Sequence, residues 1–366
     1  MAQCKTSPEV GGMGHSVKRK EDPRFIRGQG NYVDDIVRPG MVFMDIVRSP
    51  YAHAKIKSIN TEKALAHPGV AAVITGETLK EYNLHMMPTL MSDTQMVLPI
   101  EKVCYQAQEV AAVIATDRYS AADGVELVEV EYEPLPVVVD PHKATDPDAP
   151  IIRDDKEGQD SNHIFHWEAG DKSGTDEIFK NADVTVKENI YLPRIHVASI
   201  ETCGCLSEFD SVTGRLTVWM TTQAPHAIRT VLALVAGHVG LQEDKIRVIS
   251  PDIGGGFGGK VPVYPGYVIA IAASVVTGLP IKWIEDRREN LQADSFARDY
   301  HMTCEIAADK DGTLNGLRIN TLADHGYADA AANPSKWPAG MFSICTGSYN
   351  FKNAFVEVDG VYTNKP

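Results

Sequence analysis

Five glycines lie among the six residues Gly254 to Gly259, within the stretch VISPDIGGGFGGKVPVYPGYVIAIAASVV. Amides unhindered by Cβ atoms can converge on an anion, and glycine admits the backbone angles such a loop needs. The spacing satisfies two phosphate-loop patterns: Gly254, Gly259 and Lys260 fit G-x-x-x-x-G-K, while Gly254, Gly256 and Gly259 fit G-x-G-x-x-G. KIRVIS ahead of the loop reads as a buried strand and YVIAIAASVV after it as a buried helix, the order that brings amides to an anion at a helix N-terminus. The first pattern fails at Val261, where a magnesium-ligating hydroxyl belongs, and Pro262 and Pro265 crowd the helix start. The second gains from LPIKWIED, a strand ending in Glu285 and Asp286 where a ribose-binding acid belongs. It loses from its position, because a helix and two strands of the same domain precede the loop. A glycine turn without ligand is the third reading, set against the backbone entropy that five glycines cost.

Other residues with chemical capacity are scattered. Cys203-x-Cys205 has the form of a metal pair but lacks the second pair that a tetrahedral site requires, so both are expected to be structural thiols. His196 and Glu201 flank the same strand and are placed near the loop's channel; His53, His226 and His325 have no ligand-spaced partner, with His226 the best exception. The run Glu285, Asp286, Arg287, Arg288, Glu289 is expected to be a solvated helix start with internal ion pairs. Asp299 with His301, and Lys336 with Trp337, are candidate subunit contacts.

The elements that must position these residues read as mixed α and β. Met41 to Val47, Lys55 to Ile59 and Val70 to Ile74 are β-branched segments around a short helix at Thr61 to Ala66. EVAAVIAT, DRYSAADGVELV and EVEYEPLPVVVD repeat the pattern as strand, capped helix and strand. The polar stretch that follows, rich in Pro, Asp and Gly, reads as a connector, and DVTVKENIYL, RLTVWMTT and HAIRTVLALVAGHV open a second unit. A chain of 366 residues suggests two or three domains, each with its own core. With 35 Lys+Arg against 49 Asp+Glu the net charge is -14, which repels a phosphate backbone and argues against a nucleic-acid binder. No apolar run approaches the ~20 residues of a membrane span. Six cysteines without a signal peptide suggest a reduced, cytoplasmic protein. The final FVEVDGVYTNKP reads as an interruption, a strand and turn without a closing element.

PDIGGGFGGK resembles the glycine-rich molybdopterin loop of the xanthine oxidase and aldehyde oxidase family of molybdenum hydroxylases. KEDPRFIRGQGNYVDDIVRPGMVFMDIVRSPYAHAKI resembles the start of that family's large subunit, and YEPLPVVVD the end of its first domain. HVASIETCGC, TTQAPHAIRT, WIEDRRENLQADSFARDYHM and ADHGYADAAANPSKWPAGMFSICTGSY are similar to the aerobic carbon monoxide dehydrogenase branch. The resemblance implies an α+β fold: a polar leader at 1–22, an α/β-hammerhead domain at 23–145, a connector at 146–175 and the first portion of a molybdopterin-binding domain at 176–366.

The same resemblance implies molybdenum held by molybdopterin cytosine dinucleotide, with Gly255, Gly256, Phe257 and Gly258 against the cofactor and Gln223 near the molybdenum ligands. A side-chain amide can orient oxo groups without adding charge, and the Phe257 ring can help exclude water. Oxidation of carbon monoxide by water would then send two electrons to 2Fe-2S and FAD centres on small and medium partner subunits, in a dimer of heterotrimers. No cysteine spacing here suits an iron–sulfur cluster. The catalytic glutamate and the copper-binding cysteine of that branch are expected beyond Pro366, leaving no metal ligand or catalytic residue assigned within this chain. Two alternatives remain: a related hydroxylase acting on an aldehyde or N-heterocycle, and a truncated polypeptide that only binds partner subunits.

Overall fold

A computed structural model describes residues 13, 16–89, 93–328 and 344–366. Cys4, Lys336 and Trp337 lie outside the described residues. Strands form where β-branched segments were expected. In the first half Val70–Thr75, Glu109–Ala115 and Val42–Arg48 pair antiparallel in that order. In the second, Gly204–Asp210 lies between Arg215–Met220 and Ile281–Ile284, antiparallel to both, and Ile246–Ile249 adds in parallel at the far edge.

The two groups are not separate. Val42, Phe43 and Met44 pair in parallel with Ile281, Lys282 and Trp283, so one seven-stranded sheet crosses both halves of the chain. A single apolar core likewise joins Met44, Leu79 and Ile114 to Val218, Ile269 and Trp283. Beside this shared core each half keeps apolar clusters of its own, with Ala64, Ala111 and Val113 in the first and Tyr300, Leu317 and Val358 in the second. Val42–Arg48 is substantially buried along its length and so is placed inside a sheet rather than at its edge.

The helix Pro265–Thr277 packs against this sheet, contacting Gly204–Asp210 and Ile281–Ile284. Its residues from Pro265 to Ser274 are all buried, as an all-apolar helix requires. Pro265 begins it with a preset φ, and Gly278 ends it at φ +70°. Gly266 makes room for the indole of Trp283, since a Cβ there would lie 2.3 Å from the ring; Tyr267 meets the same ring edge-on at 5.5 Å. The helix starts only at Pro265, so the glycine loop does not run directly into its N-terminus as the strand–loop–helix reading expects.

A second, five-stranded sheet has the order Val184–Leu192, Tyr300–Ala308, Leu314–Asp324, Asn353–Val361, His163–Gly170. Its last strand lies inside 146–175, the stretch read as a connector. The alternation is present there, with Phe165 and Trp167 toward the core, but two residues flanked by Asp, Ser and Gly are too few to stand out. Lys102–Val103, Ala54–Asn60 and Glu129–Pro134 make a third, small sheet. The architecture is α+β.

Candidate functional site

The glycine loop leaves the edge strand Ile246–Ile249 and is pinned at its entry by Asp252. Arg24, in the short helix Asp22–Phe25, forms a two-pronged ion pair with that carboxylate, and the Asn31 amide donates to it at 2.8 Å. The hydrogen bonds from Arg24 hold the Asp252 carboxyl below its ordinary range.

Two side chains then grip the loop. Glu201 Oε2 accepts from the Gly254 amide at 2.7 Å and from Lys260 Nζ at 3.0 Å. Gln223 Oε1 accepts from the amides of Gly258 at 3.0 Å and Lys260 at 3.3 Å, while its own backbone N–H donates to Lys260 O at 2.9 Å. Both groups facing the Gln223 side chain are donors, so its oxygen must be the atom that meets them and its NH2 group has no partner among the described residues. Lys260 is only 3% exposed, its ammonium turned inward to Glu201. The lysine that completes the G-x-x-x-x-G-K pattern is therefore engaged within the protein and not offered to a phosphate.

Packing or backbone angle accounts for every glycine in the loop. A Cβ would lie 2.5 Å from Glu201 Cβ at Gly254, from Gln223 Cδ at Gly256 and from Val197 Cγ2 at Gly259. Gly255 and Gly258 sit at φ +101° and +94°, where side chains are strained. Phe257 also occupies the left-handed region, at φ +51°, and its side chain is 76% exposed.

Three consecutive amides, those of Gly255, Gly256 and Phe257, make no hydrogen bond among the described residues. Beside them Ser199, whose Cβ lies 3.4 Å from where a Cβ on Gly255 would stand, keeps a buried hydroxyl without a partner among the described residues. Free backbone donors, an uncommitted carboxamide NH2 and an orphaned hydroxyl around one loop fit a group rich in oxygen acceptors. The exposed Phe257 ring adds an apolar wall.

A second polar cluster lies behind the loop, where the two halves of the large sheet meet. Arg48 donates from Nε to Glu289 at 2.7 Å and pairs through Nη1 with Glu109 at 3.1 Å; Glu285 is 4.0 Å from Nη2. Asn290 Nδ2 bridges Glu285 at 3.1 Å and Asp294 at 2.6 Å, and the Cys203 thiol donates to Asp294 at 3.5 Å. Burial, and then the Asp294 charge, pushes Glu285 well up from the ordinary carboxylate range. Burial likewise pushes Asp294 up to about 7.

The expectation of a solvated charge run at 285–289 is thus corrected: Glu285 and Glu289 are buried partners of Arg48, although Arg288 is exposed. Asp286 caps the helix Arg287–Ala293, accepting from the Glu289 amide at 2.7 Å. Asp299 is corrected in the same way, being wholly buried between Arg194 at 2.8 Å and Lys365 at 2.9 Å instead of exposed for a partner. His301 lies with Nε2 3.6 Å from Asp299 and Nδ1 3.1 Å from His142.

Cys203 and Cys205 are buried free thiols, as are Cys104, and less fully Cys304 and Cys345. His196 packs on Phe296 and accepts the Ala198 amide at 3.0 Å. His53 is buried with Nδ1 2.6 Å from Pro136 O, and His325 is buried edge-on to Phe165. His226 is exposed at the start of the helix Pro225–Ala236, three residues from Gln223. Of the sequence-derived candidates, the structure brings together the loop glycines, Phe257, Gln223 and Glu201. The inward role of Lys260 and the orphaned hydroxyl of Ser199 were not expected; the pairing of Lys260 with a Glu 59 positions away left no local signal.

Residues 156–366 match the molybdopterin cofactor-binding domain, and residues 27–136 match the a/b hammerhead domain of aldehyde oxidase and xanthine dehydrogenase. The chain belongs to this molybdopterin cofactor-binding family. It is 58% identical over 363 residues to the carbon monoxide dehydrogenase large chain of Afipia carboxidovorans, covering 97% of this chain and 44% of that one. Against the large chain of Hydrogenophaga pseudoflava it is 56% identical, covering 97% and 45% respectively. The solved reconstituted CO dehydrogenase from Oligotropha carboxidovorans superposes with a TM-score of 0.93 at 58% identity, over 97% of this chain and 45% of that one. The chain therefore spans less than half the length of these relatives. Among the described residues, no helix is long and apolar enough to cross a membrane.

Proposed function

We propose that this chain supplies the cofactor-gripping part of the large subunit of an aerobic carbon monoxide dehydrogenase, converting carbon monoxide and water to carbon dioxide, two protons and two electrons. The observation that carries the reading is the run of three amides at Gly255, Gly256 and Phe257 without a partner among the described residues, in a chain 58% identical to a carbon monoxide dehydrogenase large chain. The cofactor is molybdenum with molybdopterin cytosine dinucleotide, joined by copper in the complete protein. When bound, it supplies two-electron oxidation with oxygen taken from water.

The chain's own residues hold and orient. Gly255, Gly256 and Phe257 would offer N–H groups to the cofactor's acceptors, Gly258 gives the loop its turn, and the NH2 group of Gln223 would donate to the bound cofactor without bringing net charge. The exposed Phe257 ring would lie against the bound cofactor and limit water access there. Electrons leave to a small 2Fe-2S subunit and a medium FAD subunit, in a dimer of heterotrimers. Its reduced, buried thiols support work in the cytoplasm.

The test is the full-length protein purified with its partner subunits. The reading expects close to one molybdenum per large chain and reduction of an artificial acceptor by carbon monoxide. Absence of molybdenum contradicts it, and oxidation of an aldehyde or N-heterocycle without carbon monoxide activity moves the assignment to a related hydroxylase.

A further inference from the structure

We propose that Glu201 and Lys260 are positioning residues, a buried ion pair that ties the two ends of the glycine loop together and so fixes where its free amides point. The inference rests on the reading of that loop as the cofactor's. Glu201 Oε2 is shared: it takes the Gly254 amide at 2.7 Å and the Lys260 ammonium at 3.0 Å, bridging the first glycine of the loop and the residue that follows the last. A backbone bond from Glu201 N to Gly254 O at 3.1 Å fixes the entry a second time. At the exit, Lys260 O accepts from the Gln223 backbone N–H at 2.9 Å, so the lysine is held on its main chain as well as its side chain.

Between these fixed ends no side chain among the described residues grips the backbone until Gly258. Within the span Gly256 O accepts from the Gly259 amide at 2.8 Å, and the direction of the Gly255 to Phe257 amides rests on that turn and on the two clamped ends. Glycine-rich backbone has more conformations open to it than any other, so an unclamped loop would sample many directions, and preorganised donors would become floppy ones. The glycine at 254 belongs to the same device: a Cβ there would lie 2.5 Å from Glu201 Cβ and push the carboxylate off its two partners. Lys260 thus retains the place a phosphate-loop lysine would have while doing a different task. Its ammonium neutralises Glu201 inside the protein and leaves the ligand to neutral amides.

Substitution can separate charge from shape. Glu201→Ala removes the acceptor for both partners. Glu201→Gln keeps an oxygen for the Gly254 amide, and Lys260→Met keeps the buried stem without the charge. Each is made in the full-length protein with its partner subunits, and two quantities are read: amide hydrogen exchange across residues 252–262, with the core strand Glu109–Ala115 as internal reference, and molybdenum content per chain. We expect exchange in the loop to rise at least tenfold in Glu201→Ala with the reference strand unchanged, a smaller rise in Glu201→Gln and Lys260→Met, and molybdenum content falling in the same order. If Glu201→Ala does not fold, the Gln and Met variants carry the test on their own. Loop exchange at the wild-type rate in folded variants overturns the proposal. Faster exchange with undiminished molybdenum upholds the clamp and overturns the assignment of this loop to the cofactor.

Discussion

The glycine loop and the Arg48 cluster are both fastened to the short run Glu201, Thr202, Cys203, yet they treat polar groups in opposite ways. Glu201 grips the loop, whereas Thr202 Oγ1 donates to Glu285 O at 2.6 Å and the Cys203 thiol to Asp294. In the loop three amides have no partner among the described residues. In the cluster Arg48, Glu109, Glu285, Glu289, Asn290 and Asp294 are folded in upon one another, and burial raises the Glu285 and Asp294 carboxyls above the ordinary carboxylate range. One region keeps hydrogen-bonding capacity open for a ligand; the other closes it to join two halves of a sheet. Damage to the cluster should therefore appear as lost stability, and damage to the loop as lost binding.

The largest stability effect is expected from Arg48→Met. It leaves Glu109 and Glu289 buried without their cation, which costs about 3–5 kcal/mol for a broken buried pair and is read by equilibrium unfolding. Unchanged stability would show that the cluster does not join the halves. Asp294→Asn tests the proton held there. Because burial raises the Asp294 pKa to about 7 from an ordinary 3.8, the folded state binds the extra proton, and that stability is full below about pH 4 and lost as pH rises to about 7. The Asn variant should lose this slope and become more stable than the wild type at pH 8, each tenfold difference in proton affinity between the folded and unfolded chain being worth about 1.4 kcal/mol. A wild-type pH profile in Asp294→Asn contradicts it.

The loop side predicts the reverse pattern. Gln223→Ala removes an acceptor from the exposed Gly258 amide and from the amide of the buried Lys260, so the unfolding free energy should fall by about 1 kcal/mol, well short of Arg48→Met, while molybdenum content drops severalfold. A large loss of stability would put Gln223 with the cluster instead. The smallest effect is expected from Phe257→Gly, which relieves the left-handed backbone at φ +51° and should raise stability by at most about 1 kcal/mol. A clear destabilisation would mean that the exposed ring packs where the structure shows it open.

The same contrast decides what could be read from the sequence. The loop was legible because its meaning is local: Gly254 to Gly259 are adjacent, and Gln223 sits in a recognisable segment. Most strands and helices were legible for the same reason, including the strand at Val42–Arg48 and the helix at Pro265–Thr277. The cluster was not, because Arg48 and Glu289 meet across 241 positions, and a run such as Glu285 to Glu289 looks solvated until its partner is known. Asp299 was misread likewise, its cations being Arg194 and Lys365. The joining of both halves in one sheet depends on the Val42 to Ile281 register, a pairing that no local pattern marks.

If the loop holds a molybdenum cofactor, as proposed, the packing that its glycines permit is needed for that hold, and Gly256→Ala disturbs it where the loop meets Gln223. The new methyl would lie 2.5 Å from Gln223 Cδ and displace that carboxamide from the Gly258 and Lys260 amides. Gly214→Ala, at φ +64° in a remote turn with nothing near its Cβ, controls for backbone strain alone. Molybdenum content of the two full-length variants, purified with their partner subunits, should fall at least tenfold for Gly256→Ala and stay at the wild-type level for Gly214→Ala. Full molybdenum occupancy in folded Gly256→Ala would contradict the account.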